Sequence, residues 1–314
     1  MRIKLTGFSG DFAAQIKNNG SFQGITVTDE INFDFEFIVD PKAHQFSNKR
    51  NQVLVLVEPE VVRPDLYRAK VWRKFHAVLP LSRYRAERLN LKHWFDLPVT
   101  LPEYKRSNIN RTKKWAIVNE HKFSASNRSQ YGIRRHLIKY FESERPLDLD
   151  LYGVEWNKNK SIELRRRLFT LRLHGFTKNL NLNENFSDFW HSYSLVKGHM
   201  QENLENLQHY NYSIVIENDL DYISEKVWKS IYAGAVPIYV GPNLDYDKDL
   251  EKVVISSNAS LDEIKSTIKV TEKIDIQKIR ENGYKFLSDL NTSKYSLENC
   301  GKKFIDSASN LLQL

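Results

Sequence analysis

Short apolar runs alternate with polar stretches along most of this chain, at spacings that predict strands and helices in turn. In the first third the runs fall at residues 3–8, 25–28, 33–39, 52–57 and 75–79. The run VLVLV over 53–57 carries no polar alternation, which predicts a parallel strand buried on both faces. Glu58 and Pro59 follow at once, so Glu58 is expected at that strand's carboxyl end. Residues 98–114 break into prolines, asparagines and charges, the signature of a linker. The alternation then resumes with a strand at 115–119 and a helix at 131–141, whose Ile133, Leu137, Tyr140 and Phe141 form one apolar face. A strand at 149–152 closed by Gly153 follows, then a helix at 201–209 with Leu204 and Leu207 facing inward. A strand at 253–256 and helices near 261–268 and 276–290 complete this half. Residues 297–314 read as an amphipathic helix that returns to the first half.

Between these lies the most informative stretch, 212–241: YSIVIENDLDYISEKVWKSIYAGAVPIYVG. It predicts an apolar strand, a polar loop, a helix and a second apolar strand. Glu217 and Asn218 sit where the first strand ends. Ser224 stands at the N-cap position, with Glu225 and Lys226 in the first turn. Ligands of open α/β sheets bind outside the carboxyl ends of strands, and helix N-termini attract anions. An acid, an amide and a lysine at that corner suit a ligand with hydroxyls and phosphate. Glu225 is favoured in a first turn for dipole reasons alone. Lys226 opposes the dipole unless something anionic lies nearby.

The length of 314 residues suits two domains. Two βα-alternating halves predict an α/β protein of two Rossmann-like, doubly wound domains facing across a cleft, over 1–108 and 109–296, with 297–314 returning to the first. The single cysteine, Cys300, excludes an internal disulfide and fits a reducing, cytoplasmic compartment. No run approaches the ~20 apolar residues of a membrane span, and the N-terminus reads as a strand rather than a leader. A net charge of +8 implies an anionic partner. Nine basic residues lie between Arg63 and Lys92, interleaved with Trp72, Phe75 and Tyr84. They read as a solvated helical face, or as a patch for an anionic membrane surface or acidic acceptor. No nucleic-acid-binding module is recognisable, so nucleic acid is not expected as a partner. The histidines show no metal spacing. Asp148-Leu149-Asp150 and Asp219-Leu220-Asp221 are Asp-x-Asp triplets, a pattern that chance alone supplies about once in such a chain.

The text from Lys197 through Asn218, followed by DYISEKVWKSIYAGAVPIYVG, resembles the α-1,3-fucosyltransferase family, glycosyltransferase family 10. Members carry an aromatic-rich strand ending in Phe-Glu-Asn, then Tyr-x-Thr-Glu-Lys and a small-residue turn ending in Pro-x-x-x-Gly. This chain departs at Ile216, at Ser224 and in the short loop after Asn218. Upstream, KWAIVNEHKFSASNRSQYGIRRHLIKYF resembles the family's strand, loop and arginine helix, and VLVEPEVVRP its strand ending in a catalytic glutamate.

The resemblance implies a GT-B fold and inverting transfer of fucose from GDP-fucose to a hydroxyl of an oligosaccharide, glycolipid or polysaccharide, without an essential metal or other cofactor. It assigns Glu58 as general base, with Glu60 as the competing choice. Arg134, with Arg135 competing, and Lys226 meet the diphosphate, Glu225 accepts from sugar hydroxyls, and Asn218 and Tyr222 orient the donor. Three alternatives stand beside it. One is a transferase of the same fold using another GDP-sugar. A metal-dependent enzyme using an Asp-x-Asp is another. The third is a non-catalytic glycan- or nucleic-acid-binding protein, supported by the basic stretch and by Arg165, Arg166 and Arg167.

Overall fold

The computed structural model describes residues 1–22, 24–42, 51–102, 109–124, 126–157, 188, 191–199, 204–271 and 273–312. Arg165, Arg166 and Arg167 lie outside the described residues. The chain divides into two compact units, Met1–Thr100 with Asp289–Leu314, and Leu101–Ser288. The bounds thus differ from 108/109 and 296/297. The backbone explains this on the later side, where the Val99 N–H donates to the Tyr295 carbonyl at 3.0 Å and ties both segments to the first unit.

In the first unit the elements run β1 (Arg2–Thr6), α1 (Gly10–Phe22), β2 (Thr26–Val27), β3 (Phe35–Val39), β4 (Gln52–Leu56), α2 (Ala69–Trp72), β5 (Ala77–Pro80) and α3 (Arg83–Arg88). All strand pairings are parallel, in the order β2-β1-β3-β4-β5. β4 shows why the VLVLV run lacks alternation. Val53 and Val55 pack on one face with Phe37 and Leu79, while Leu54 and Leu56 pack on the other with Leu66 and Val78. Both faces are covered, as an all-parallel sheet requires. The basic stretch here is no continuous helical face. It is cut into α2, β5, α3 and a 3-10 turn at Pro64–Tyr67.

In the second unit β6 (Lys113–Val118) leads to α4 (Tyr131–Glu144), β7 (Leu149–Tyr152), β8 (Val196–Gly198) and β9 (Tyr210–Ile216). Then come α5 (Glu225–Tyr232), β10 (Val236–Val240), α6 (Lys248–Glu251), β11 (Ile255–Ser256), α7 (Leu261–Thr271) and α8 (Ile276–Ser288). The parallel sheet has the order β11-β10-β9-β6-β7-β8. Its first strand lies in the middle, so the winding reverses between β6 and β9. Trp115, Ile117, Ile214 and Ile216 share one core with Leu137 and Phe141 of α4, and Ala116 packs on the opposite face. The segment before β9 is a 3-10 helix over Leu204–His209, and residues 201–203 of the expected helix lie outside the described residues.

The last helix, α9 (Leu297–Leu311), belongs to the first unit. Its Phe304 meets Phe8, Phe37 and Phe95 edge-on at centroid distances of 5.3, 5.3 and 5.7 Å. Cys300 is buried in the same helix, where burial raises its thiol well above the ordinary range and leaves it inert.

Candidate functional site

The reversal of strand order between β6 and β9 creates the place where an open α/β sheet takes a ligand. Gln130, the residue before α4, donates its N–H to the Asn218 carbonyl at 3.2 Å, which seats the start of α4 against the end of β9. Arg134, one turn on, is buried there. Its guanidinium donates to the Ile216 carbonyl at 2.7 Å, to Asn218 Oδ1 at 3.2 Å and to the Glu120 carbonyl at 3.5 Å. These acceptors are all neutral, and Nε has no partner. Burial pulls the guanidinium down to about 10, against the opposing influence of Tyr131, Tyr222 and Glu217. Buried charges are normally paired with an opposite charge. Among the described residues Arg134 has no such pair within salt-bridge distance.

Arg135 is different. Its Nε donates to Asp188 at 3.1 Å, Nη1 donates to the Lys122 carbonyl at 2.7 Å, and the ring of Phe123 lies 4.1 Å from the guanidinium carbon. Lys139 completes the pair with Asp188. Of the two arginines, Arg134 lies at the strand ends and Arg135 holds a buried carboxylate elsewhere.

The start of α5 closes the same corner. Lys226 donates to Ser224 Oγ at 3.0 Å and stands 3.7 Å from Glu217 Oε2. Ser224 occupies the N-cap position, but its hydroxyl makes no cap bond; it accepts from Lys226 instead. The cap comes from Glu217, whose Oε1 accepts the Ser224 N–H at 2.8 Å. Lys226 therefore has a local counter-ion, which the dipole argument lacked. Tyr222 is buried close enough to Arg134 to act on its charge, and Glu225 is exposed at the first position of α5. The Glu120 carboxylate is lowered first by its hydrogen bond to Lys122, and then by the charges of Lys122, Lys226 and Arg134. The structure thus brings Arg134, Asn218, Tyr222 and Lys226 together with Glu217, the acid expected at that strand end, and adds Glu120, which sequence reasoning did not place.

The two Asp-x-Asp triplets are engaged by the chain's own cations. Arg128 grips Asp219 through Nε at 3.1 Å and Nη2 at 2.6 Å, and Asp221 lies 3.9 Å from the same Nη2. Asp148 pairs with Lys114 and Arg145, and Asp150 with Lys113, at the opposite, amino end of β7.

In the first unit Glu58 is exposed just past β4. Its backbone is held on both sides. The N–H donates to Asp40 Oδ2 at 2.8 Å, and the carbonyl accepts from Tyr67 Oη at 2.8 Å and Arg85 Nη1 at 3.3 Å. Arg85 is fully buried and also caps the carbonyls of Leu56 and Val57, at 3.0 and 2.8 Å. Glu60 is paired with Arg88 at 2.8 Å, which leaves Glu58 as the exposed acid of the two without an ion pair among the described residues.

No protein-family model matches this chain. A sucrose-phosphate synthase from Thermosynechococcus elongatus superposes with a TM-score of 0.54 at 10% identity, over 100% of this chain and 99% of that one. Anabaena HepE in complex with UDP and glucose superposes with a TM-score of 0.52 at 8% identity, over 99% of this chain and 100% of that one. An α1,3-fucosyltransferase with GDP superposes with a TM-score of 0.49 at 13% identity, over 100% of this chain and 90% of that one. The likeness is one of fold: two parallel-sheet, Rossmann-like α/β domains in one chain, as in GT-B glycosyltransferases.

Proposed function

We propose that this protein is an inverting glycosyltransferase that moves L-fucose from GDP-fucose to a hydroxyl of a glycan acceptor, without an essential metal. The observation that carries the reading is Arg134: a buried guanidinium bonded only to neutral oxygens, at the reversal point of a parallel sheet, with Lys226 beside it. A diphosphate supplies the anion that such a cation lacks. The GT-B fold and the resemblance to family 10 through residues 197–241 support the same reading.

In this reading the second unit binds the donor and the first the acceptor. Glu58 takes the proton of the attacking hydroxyl, for which it has to come within hydrogen-bond reach. The new bond forms at the sugar's anomeric carbon as the bond to the diphosphate oxygen breaks, through an oxocarbenium-like transition state. Arg134 and Lys226 neutralise the charge that gathers on the departing diphosphate, commonly the largest contribution to such catalysis. Asn218 and Tyr222 orient the donor, and Glu225 accepts from sugar hydroxyls. Asp219 and Asp221, engaged by Arg128, are not the donors of a metal site in this mechanism. Among the described residues no helix is long and apolar enough to cross a membrane. We place the reaction in the cytoplasm, with peripheral contact at an anionic membrane where the acceptor is a glycolipid.

The test is a donor panel in chelator, scored for binding and for hydrolysis or transfer. GDP-fucose should bind and turn over. Turnover of another GDP-sugar alone redirects the donor assignment. UDP-sugars belong in the panel because a protein of the same fold holds UDP.

A further inference from the structure

Glu217 ends β9 with no exposed surface. Its Oε1 accepts the Ser224 N–H at 2.8 Å and the Tyr239 hydroxyl at 3.4 Å. Oε2 has no hydrogen-bond partner, and the Lys226 ammonium lies 3.7 Å from it. That distance is an ion pair without a hydrogen bond. The same ammonium is held a second time, by Ser224 Oγ at 3.0 Å. Lys226 is itself partly exposed, so it is the member of this group that a ligand reaches.

A carboxylate so placed attracts Lys226 and competes for it with any anion that Lys226 meets. It cannot move away, because Oε1 is fixed by the helix start. We infer that Glu217 is a built-in competitor for Lys226: it claims the ammonium when the corner is empty, draws it away from a bound nucleoside diphosphate, and so sets how tightly the nucleotide is held and how readily it leaves. This rests on the reading that the corner takes a nucleoside diphosphate. A purely structural Glu217 has the opposite signature, since losing its charge would then loosen Lys226 and weaken binding.

The experiment is isothermal titration of GDP into the full chain and its variants, with melting temperature recorded for each. In Glu217→Gln the amide oxygen still accepts from Ser224 and Tyr239, and Ser224 Oγ still places Lys226. GDP affinity should rise about tenfold, because Lys226 no longer divides its charge between the carboxylate and a phosphate. With Lys226→Met in the background, the same exchange should move affinity less than about twofold, because the two residues then no longer couple. Unchanged or weaker binding in a folded Glu217→Gln overturns the inference, as does an equal gain in the Lys226→Met background. Should Glu217→Gln not fold, Ser224→Ala decides. With the neutral holder gone, Lys226 falls to Glu217 and GDP affinity should drop about fivefold, whereas wild-type affinity overturns the inference. Wild-type protein that binds neither GDP nor UDP removes the underlying reading and this inference with it. A binding wild type with unmoved variants removes only the inference.

Discussion

Oδ2 of Asp40 accepts the backbone N–H of Glu58 at 2.8 Å, while its Oδ1 accepts that of Val57 at 3.2 Å. One carboxylate at the end of β3 thereby fixes the segment that carries the proposed base. Burial pushes Asp40 up to about 6 and the Glu58 carboxylate adds to the rise, while the two N–H bonds and Arg63 pull the other way. Between pH 4 and 6 the folded chain therefore holds a proton that the unfolded chain has released. The contribution of this group to stability is full below its ordinary value and is lost as pH rises through about 6. Its grip on Val57 and Glu58 runs the other way, because it is the ionised form that accepts both N–H groups. The pH profile of kcat/KM should show an acid limb near 6 in the wild type. Asp40→Asn should lose that limb, together with about a hundredfold in rate from misplacement of Glu58. A limb that persists near 6 in the variant assigns the titration to another group.

Arg134 and Arg135 are neighbours with opposite duties, and their variants should separate cleanly. Arg135→Met strips Asp188 of its guanidinium and should cost about 3 kcal/mol in urea denaturation, with Lys139 softening the loss. Arg134→Lys keeps a charge but cannot span Ile216, Asn218 and a phosphate together. It should weaken GDP binding about tenfold or more, read by titration calorimetry. The reverse pattern would exchange the two roles.

Asp219 is fully buried on Arg128. Arg128→Ala should therefore destabilise the chain by about 3 kcal/mol, by taking the guanidinium from a buried carboxylate. Thermal melts with and without added manganese provide the check. Full recovery by the metal would show that Asp219 and Asp221 form a cation site once freed.

Gly153 has a φ of 142°, and a Cβ at that position would stand 1.8 Å from the Asn119 carbonyl oxygen. Gly153→Ala should cost at least about 2 kcal/mol through backbone strain alone, before the clash is counted. Denaturant midpoints measure it; a loss below about 0.5 kcal/mol would mean that β6 and β7 can part at this end.

The strands were the most legible part of the sequence. Residues 53–56 of β4, 214–216 of β9 and all of β10 are uninterrupted apolar runs, because both faces of a parallel sheet are covered. Asn218 and Lys226 stood out through their places at a strand end and a helix start, and Arg134 through the family resemblance, with Arg135 competing. Glu217 was placed at its strand end but without its role in holding the helix start, and Asp40 was not singled out, although a signal existed. FEFIVDP repeats the apolar-run, acid, proline pattern of VLVLVEP, and YSIVIE ends an apolar strand on an acid. An acid that closes a strand buried on both faces has to find donors, and Asp40 and Glu217 found backbone N–H groups. The division of labour between Arg134 and Arg135 was hidden for a different reason. It depends on Asp188, 53 positions away from Arg135, and no local pattern connects them.

Arg85 in the first unit and Arg134 in the second each spend a buried guanidinium on backbone carbonyls at the end of a central strand. Formal charge counted along the chain therefore overstates what an approaching polyanion would feel. Ionic strength separates the two kinds of cation. Mobile ions screen exposed lysines beyond roughly 10 Å at 0.1 M, but they do not enter a packed core. A grip on nucleotide that depends on Arg134 should survive salt that strips a loosely held surface ligand, so the protein's affinity in high salt reports the buried arginine almost alone.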